Sequence, residues 1–118
     1  MAGLTTHVLD IAHGRPARGV EIALFRETDA GAFEEIAHAV TNADGRCDGL
    51  LLSREAMETG RYRLDFHAGA YFRACGVELP EPAFLDVVSI AFGIADVDAH
   101  YHVPLLISPY GYSTYRGS

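Results

Sequence analysis

The stretch that decides the fold is His100-Tyr-His-Val-Pro-Leu-Leu-Ile-Ser-Pro-Tyr-Gly-Tyr-Ser-Thr-Tyr-Arg-Gly-Ser118. It is apolar, aromatic and rich in β-forming residues as far as its last four residues, Tyr115-Arg-Gly-Ser118. Terminal segments usually fray and carry charge, so a segment of this composition is expected to pack against the rest of the protein. It also brings a guanidinium and hydroxyl groups near two histidines, which makes it the first candidate for a functional site.

Outward from this stretch, apolar and polar residues alternate with a period of two, and turn residues separate the runs. The predicted strands cover residues 4–11, 20–26, 33–41, 61–68 and 84–92, followed by a final pair within 100–118. One short helix is predicted over 53–59, with Ser53 as its N-cap and Gly60 at its end. Seven or eight strands with one short helix predict an all-β fold, a sandwich of two sheets.

Two turn signals and one proline refine this pattern. Asp29-Ala-Gly31 predicts a hairpin between the second and third strands. Asn42-Ala-Asp-Gly45 predicts a tight turn that delivers Arg46 immediately after it. Pro104 lies inside the penultimate predicted strand, where it removes a ladder donor, so it predicts an edge position or a bulge.

Composition limits the class of function. The 118 residues predict a single domain over 1–118, and the formal net charge is −7. Nucleic-acid binders carry a basic stripe, and anionic membranes attract basic proteins, so neither is an expected partner. No signal peptide or membrane-length apolar run is visible, and Cys47 and Cys75 do not form a disulfide framework, so a cytoplasmic location is expected.

The histidines admit two readings from the residues alone. His100 and His102 are two positions apart and therefore share a face of a strand. A His-x-His pair can supply two zinc ligands, with His7 as a third and water as a fourth. In the other reading one histidine is solvated and the other fills a polar niche, because no acidic or cysteine partner has the right spacing.

Arginine and serine residues are the remaining candidates. Arg46 follows a turn and reads as a solvated loop end, whereas Arg116 lies at the end of an apolar strand and is harder to assign to the surface. Ser113 and Ser118 lack the strained Gly-x-Ser-x-Gly setting of a nucleophile, so hydrogen-bonding roles are expected for them.

Together these motifs resemble those of the transthyretin-like family, and within it the 5-hydroxyisourate hydrolases. The resemblance covers nearly all of the chain. It is carried by Thr6-His-Val-Leu-Asp10 with Gly14-Arg-Pro-Ala17, by Thr41-Asn-Ala-Asp-Gly-Arg46, by His102-Val-Pro-Leu-Leu-Ile-Ser-Pro109, and by Tyr115-Arg-Gly-Ser118. The last motif is the most specific, because the hormone-carrying transthyretins lack it and lack the histidines that match His7 and His102.

The resemblance implies a transthyretin-like sandwich, a homotetramer with active sites at the dimer–dimer interface, and neither cofactor nor metal. It implies hydrolysis of 5-hydroxyisourate to 2-oxo-4-hydroxy-4-carboxy-5-ureidoimidazoline, an intermediate between urate and allantoin. It assigns catalysis to His7, Arg46 and His102. It assigns substrate binding to the C-terminal residues Ser113, Tyr115, Arg116, Gly117 and Ser118.

Three rival functions stay open beside this one: a carrier, a zinc-dependent hydrolase and, least favoured, a purely structural or adhesive sandwich. A carrier of a small aromatic ligand would use the same channel but has no chemical reason to keep the histidine pair. A zinc-dependent hydrolase would use His7, His100 and His102 as ligands, and its activity would not survive chelation.

Overall fold

Nine strands and one α-helix occupy residues 2–118, which the computed structural model describes. The strands are β1 Gly3–Asp10, β2 Arg15–Pro16, β3 Glu21–Glu27, β4 Phe33–Val40, β5 Leu52–Ser53, β6 Gly60–Phe66, β7 Val88–Ile94, β8 His100–Ser108 and β9 Gly111–Thr114. The helix α1 is Ala68–Ala74, and a single 3-10 turn covers Arg54–Ala56. The predicted domain range of 1–118 includes Met1, which lies outside the described residues.

The strands form two sheets, as the sequence predicts. One has the order β2-β1-β8-β9, with β5 also paired to β1, and the other has the order β4-β3-β6-β7. The pairing of β1 with β8 is parallel and joins residues from opposite ends of the chain, whereas the other pairings are antiparallel. Because β1 and β8 lie side by side, the first and the last motifs of the sequence meet in the middle of one sheet.

The core lies between the two sheets and is built by the alternation of each strand. Leu4 and Val8 of β1, and Leu105 and Ile107 of β8, are fully buried. They pack in one cluster with buried side chains of the second sheet, among them Ile22, Leu24, Leu64 and Phe66. Residues at the alternate positions of β1 and β8 therefore point to the opposite, outer face of the first sheet. Those outer-face residues include Thr5, His7, His100 and His102, all partly exposed.

The predicted helix over 53–59 is wrong, and a helix that the pattern did not predict lies at α1. Ser53 belongs to β5 and pairs with Gly3, and no side-chain cap hydrogen bond forms, so only a 3-10 turn follows. In α1, Ala68, Tyr71 and Phe72 are buried at helical spacing. This spacing is visible in the sequence, but His67 stands at the N-cap with no side-chain cap hydrogen bond, and the alternation of the preceding strand predicts a strand that continues to Ala68.

The predicted strand over 84–92 is displaced, because β7 is Val88–Ile94. Phe84 is largely exposed, and Asp86 accepts a hydrogen bond from Gly69 at the start of α1. The segment before Val88 therefore contacts the start of α1 and does not form part of the sheet. No helix within residues 2–118 is long and apolar enough to cross a membrane.

Pro104 does not lie on an edge strand, since β8 has β1 on one side and β9 on the other. In the register of this pair of strands, Pro104 would be the partner of Tyr115. Proline has no N–H to donate to the Tyr115 carbonyl oxygen, and β9 ends at Thr114. Pairing resumes in the same register at the isolated bridge between His102 and Gly117. The missing donor thus interrupts the β8–β9 ladder within an internal strand.

Candidate active site

A polar cavity of about 400 Å³ opens on the outer face of the first sheet. Side chains and backbone from β1, from the loop after β4, from β8 and from the C-terminal end contribute to its wall. The lining residues are Thr5, Thr6, Arg46, Cys47, Gly49, His100, His102 and Ser118. Three of the eight residues assigned by the family resemblance, Arg46, His102 and Ser118, therefore lie around one space.

The predicted turn after β4 is present and positions Arg46. The Asn42 side-chain oxygen accepts hydrogen bonds from the backbone N–H groups of Asp44 (2.9 Å) and Arg46 (3.2 Å). Gly45 has a φ of +76°, and a Cβ there would collide with the carbonyl oxygen of Val8. Glycine is therefore required for the turn to lie against β1, where Arg46 forms an isolated bridge with His7.

His102 and His100 are joined by one hydroxyl group. Thr5 Oγ1 lies 2.8 Å from Nδ1 of His102 and 3.1 Å from Nε2 of His100. The parallel register brings Thr5 directly opposite His102, on the same face of the sheet. Among the hydrogen bonds of residues 2–118, Nε2 of His102 has no protein partner, so this nitrogen is free to act on a molecule in the cavity.

The surroundings of His102 keep its imidazole neutral. Burial lowers the pKa of His102 from its ordinary value of 6.5, and the positive charge of Arg46 lowers it further. His100 and His7 add smaller effects in the same direction, which outweigh the opposing contribution from Thr5. A neutral imidazole near pH 7 can accept a proton, which is the property a general base needs.

His7 lies beside the cavity rather than in its wall. Its Nε2 is 2.9 Å from the backbone carbonyl oxygen of Asp44. Since a carbonyl only accepts, Nε2 carries the proton in the neutral ring, and Nδ1 keeps its lone pair. The bond ties His7 to the same turn that carries Arg46, so the two predicted catalytic residues are held together by the backbone.

The C-terminal residues pass directly over His102. The Gly117 N–H donates to the His102 carbonyl oxygen at 2.8 Å. A Cβ at Gly117 would collide with Cδ2 of the His102 ring, so this position has room only for glycine. The close approach delivers Ser118 to the wall of the cavity.

The other C-terminal residues assigned to substrate binding point elsewhere in this chain. The Arg116 guanidinium lies 4.2 Å from the centre of the Tyr101 ring and donates to the His100 carbonyl oxygen at 3.2 Å. Arg116 and Tyr115 line a different hollow, between β7 and β9. Ser113 pairs with Leu106 on the outer face of the sheet, away from the cavity wall.

Four residues of the wall were not singled out as site candidates from the sequence: Thr5, Thr6, Cys47 and Gly49. Thr5 is two positions before His7, which places both on one strand face, but its meeting with His102 depends on the β1–β8 register. Cys47 follows Arg46 directly, and burial together with the Asp48 charge raises the pKa of its thiol. His100 also lines the cavity, although the resemblance favours His102 over it.

The alternative zinc site does not form in the described part of the chain. Among residues 2–118, no three His, Cys, Asp or Glu side chains are placed to hold a metal ion together. His7 is turned towards the Asp44 carbonyl, whereas His100 and His102 face Thr5.

Comparison with known proteins identifies the family. The model of the HIUase/Transthyretin family matches residues 4–117. This chain belongs to that family. It is 62% identical over 116 residues to 5-hydroxyisourate hydrolase 2 of Rhizobium meliloti (strain 1021), and the match covers 98% of this chain and 95% of the relative.

Solved structures of the family have the same fold. A crystal structure of (S)-allantoin synthase superposes with a TM-score of 0.91 and 40% identity, covering 99% of this chain but only 44% of the synthase chain. Sea bream transthyretin in complex with thyroxine superposes with a TM-score of 0.89 and 29% identity, covering 98% of this chain and 95% of that chain. The predicted transthyretin-like sandwich is confirmed.

Proposed function

We propose that this protein hydrolyses 5-hydroxyisourate during urate degradation and opens the six-membered ring at a C–N bond. The observation that carries the proposal is the polar cavity in which Arg46, His102 and Ser118, from separate parts of the chain, come together. A family relative with 62% identity bears the name of this hydrolase. The proposed product is 2-oxo-4-hydroxy-4-carboxy-5-ureidoimidazoline.

His102 is the proposed general base. Hydrolysis needs a water molecule that loses a proton as its oxygen attacks the carbonyl carbon. The lowered pKa of His102 leaves its ring neutral near pH 7, and Nε2, which has no partner among residues 2–118, is available to the cavity. General-base catalysis of this kind typically contributes about 10²–10⁴-fold in rate.

Arg46 is the proposed electrostatic stabiliser. Its guanidinium donates to planar oxygen groups in a fixed geometry and opposes the negative charge that develops on the attacked carbonyl oxygen. The same charge lowers the pKa of His102. Arg46 therefore supports two requirements of the reaction, a neutral base and a stabilised oxyanion.

His7 is proposed to orient the water together with His102. Its Nε2–H is committed to the Asp44 carbonyl, so the ring presents Nδ1 as an acceptor. An acceptor beside Arg46 can hold one O–H of the water while His102 takes the proton from the other.

The C-terminal residues are proposed to bind substrate. Ser118 reaches the cavity wall, and Gly117 permits its approach. Ser113, Tyr115 and Arg116 are included in this proposal through the family motif, and their contacts in the single chain do not place them in the cavity wall.

A homotetramer with active sites at the dimer–dimer interface completes the proposal. Its support is the outer face of the first sheet, where the polar cavity opens beside the partly exposed His7 and His102 and where Ser113 is exposed outside the cavity wall. The unpaired edge strands β7 and β9 border one hollow and offer backbone groups that a second copy can cover. Size-exclusion chromatography with light scattering measures the mass of the oligomer and tests whether it is a tetramer.

The prediction that the protein is a single domain located in the cytoplasm remains part of the proposal.

A carrier function is the rival that the fold leaves open, since the transthyretin structure with thyroxine superposes closely on this chain. The cavity residues favour the hydrolase, because binding an aromatic ligand requires neither a histidine with a lowered pKa nor a guanidinium beside it.

The decisive experiment follows the ultraviolet decay of 5-hydroxyisourate, freshly generated from urate and urate oxidase, with and without the protein and a chelator. Decay faster than the spontaneous rate and insensitive to the chelator supports the proposal. Decay that the chelator abolishes keeps the reaction and overturns the metal-free mechanism. Spontaneous decay in the presence of folded protein overturns the hydrolase function and favours the carrier.

A further inference from the structure

Thr5 lies between the two histidines of the cavity and has no role in the family motif described above. Its Oγ1 is within hydrogen-bond distance of Nδ1 of His102 and of Nε2 of His100 at the same time. Both rings border the cavity, and Thr5 itself is part of the wall. One hydrogen bond from Thr5 would be enough to hold the His102 ring in place. The Thr5 hydroxyl instead lies between two titratable nitrogens, one from each histidine.

The single proton of the hydroxyl couples the two rings. When Thr5 donates to His100, it can only accept from His102, so Nδ1 of His102 must carry a proton. Nε2 of His102 then has a free lone pair and faces the cavity as a base. When Thr5 donates to His102 instead, Nε2 of His102 carries the proton and faces the cavity as an acid.

We propose that Thr5 is a proton relay that connects His102 to His100, so that His102 acts first as the base and then as the acid of one turnover. This inference rests on the proposed hydrolysis and deepens it, because it names the groups that store the proton between water attack and departure of the leaving nitrogen.

The steps balance as follows. The water oxygen bonds to the carbonyl carbon, and one water proton moves to Nε2 of His102. The Nδ1 proton of His102 moves to Thr5 Oγ1, and the Thr5 hydroxyl proton moves to Nε2 of His100, which becomes an imidazolium. As the C–N bond breaks, the protons return along the same path, and the Nε2 proton of His102 passes to the leaving nitrogen.

The local structure suits a relay. Thr5 and His102 are register partners in a parallel ladder, so their separation is fixed by backbone hydrogen bonds. The His100 backbone is held by Arg116, which donates to its carbonyl oxygen at 3.2 Å. A relay built on paired strands keeps its geometry through the proton transfers without any movement of the chain.

The test compares Thr5→Val, which removes the hydroxyl at nearly constant volume, with Thr5→Ser, which keeps it. We expect Thr5→Val to lower kcat at least about tenfold with little change in KM, and Thr5→Ser to restore most of the rate, consistent with loss of proton-transfer assistance. Thr28→Val, in the hairpin of the other sheet, is the matched control and should leave the rate unchanged. Near wild-type kcat in folded Thr5→Val overturns the proposal.

A second variant separates a relay from simple positioning. His100→Gln can still hydrogen-bond to Thr5 but cannot become an imidazolium. The relay requires it to lose kcat as Thr5→Val does, and the double variant should be no slower than either single variant, because all three break the same path. Wild-type activity in His100→Gln means that Thr5 only orients His102, and the relay is then wrong.

A spectroscopic measurement is independent of turnover. Nitrogen-15 NMR of the histidine rings should show His102 protonated at Nδ1 in the resting protein and at Nε2 in Thr5→Val. Protonation at Nε2 in the wild-type protein overturns the relay. If the wild-type protein does not hydrolyse 5-hydroxyisourate at all, the proposed function fails instead, whatever tautomer the spectrum shows.

Discussion

Strand β1 carries a polar cluster at each end, and the two clusters differ in whether their hydrogen bonds are complete. Near its C-terminal end, the buried Asp10 carboxylate accepts from the Tyr71 hydroxyl at 2.7 Å and from Nδ1 of His13 at 2.6 Å. The backbone N–H groups of Ala12 and His13 also donate to it. Near its N-terminal end, Thr5 meets His102, whose Nε2 is left free beside a cavity.

Both clusters lower a pKa, with opposite consequences for charge. Burial by itself raises the pKa of Asp10, but the hydrogen bonds from Tyr71 and His13 outweigh it and hold the pKa below its usual 3.8. Asp10 therefore stays charged in the interior. Burial and Arg46 lower the pKa of His102, which therefore stays neutral. A satisfied charge stabilises the fold, whereas an unsatisfied neutral base is available for chemistry.

The largest effect is expected from His102→Ala. Removing the base should lower kcat by about 10²–10⁴-fold. The melting temperature and the oligomeric mass should stay close to those of the wild-type protein, because His102 is on the outer face and not in the core. The measurement is the decay of 5-hydroxyisourate together with circular dichroism. Near-native turnover in this variant would remove His102 from the mechanism.

Arg46→Ala should lower the rate by about 10²–10³-fold, the usual effect of losing one preorganised donor to an oxyanion. It should also raise the pKa of His102, since the repelling charge is lost while His100 and His7 remain. Activity requires neutral His102, so the acid limb of the pH–rate profile should move to higher pH. A limb that does not move would show that Arg46 does not act on the titrating group.

The sandwich could be predicted from the sequence because the alternation of apolar and polar residues in strands such as β3 and β6 is visible within each short segment. It failed at 53–59, where the Ser53 backbone is used by β5, a long-range pairing that no local pattern reports. Likewise, Arg46 and His102 could be named from motifs, but Thr5 could not. Its importance comes from the register between two strands at opposite ends of the chain.

Gly117→Ala tests whether the close approach over His102 matters. The added Cβ would meet the His102 ring, so the chain or the ring must shift. A displacement of about 1 Å near reacting groups can cost up to about 10²-fold in rate. We expect a loss of kcat that is smaller than for His102→Ala, with unchanged thermal stability. Gly111→Ala is the control, because a Cβ there makes only an ordinary contact with Ser108. Equal activity in both variants would contradict this role of Gly117.

Tyr71→Phe should have the opposite effect to the substitutions above: it should lower the stability of the fold and leave the rate of the reaction unchanged. Loss of the hydroxyl leaves the buried Asp10 with fewer donors, at a cost of about 1–3 kcal/mol in the free energy of unfolding. The pKa of Asp10 lies below its unfolded value, so its stabilisation is present above that value and is lost as pH falls through the folded-state pKa.

In Tyr71→Phe the folded-state pKa of Asp10 should rise, and acid unfolding should begin at a higher pH. Denaturant titrations at several pH values measure both effects. A slower decay of 5-hydroxyisourate in the folded variant would show that the two clusters are coupled, and would break the distinction between them.

The parallel pairing of β1 with β8 also governs when activity can arise during folding. Thr5 and His102 are separated by 97 positions in the sequence, so a loop made of most of the chain must close before they meet. Contacts between such distant residues require closure of a long loop and slow the folding of β proteins. In a refolding experiment, the return of turnover should therefore coincide with the last phase of structure formation, and partly folded species should be catalytically silent.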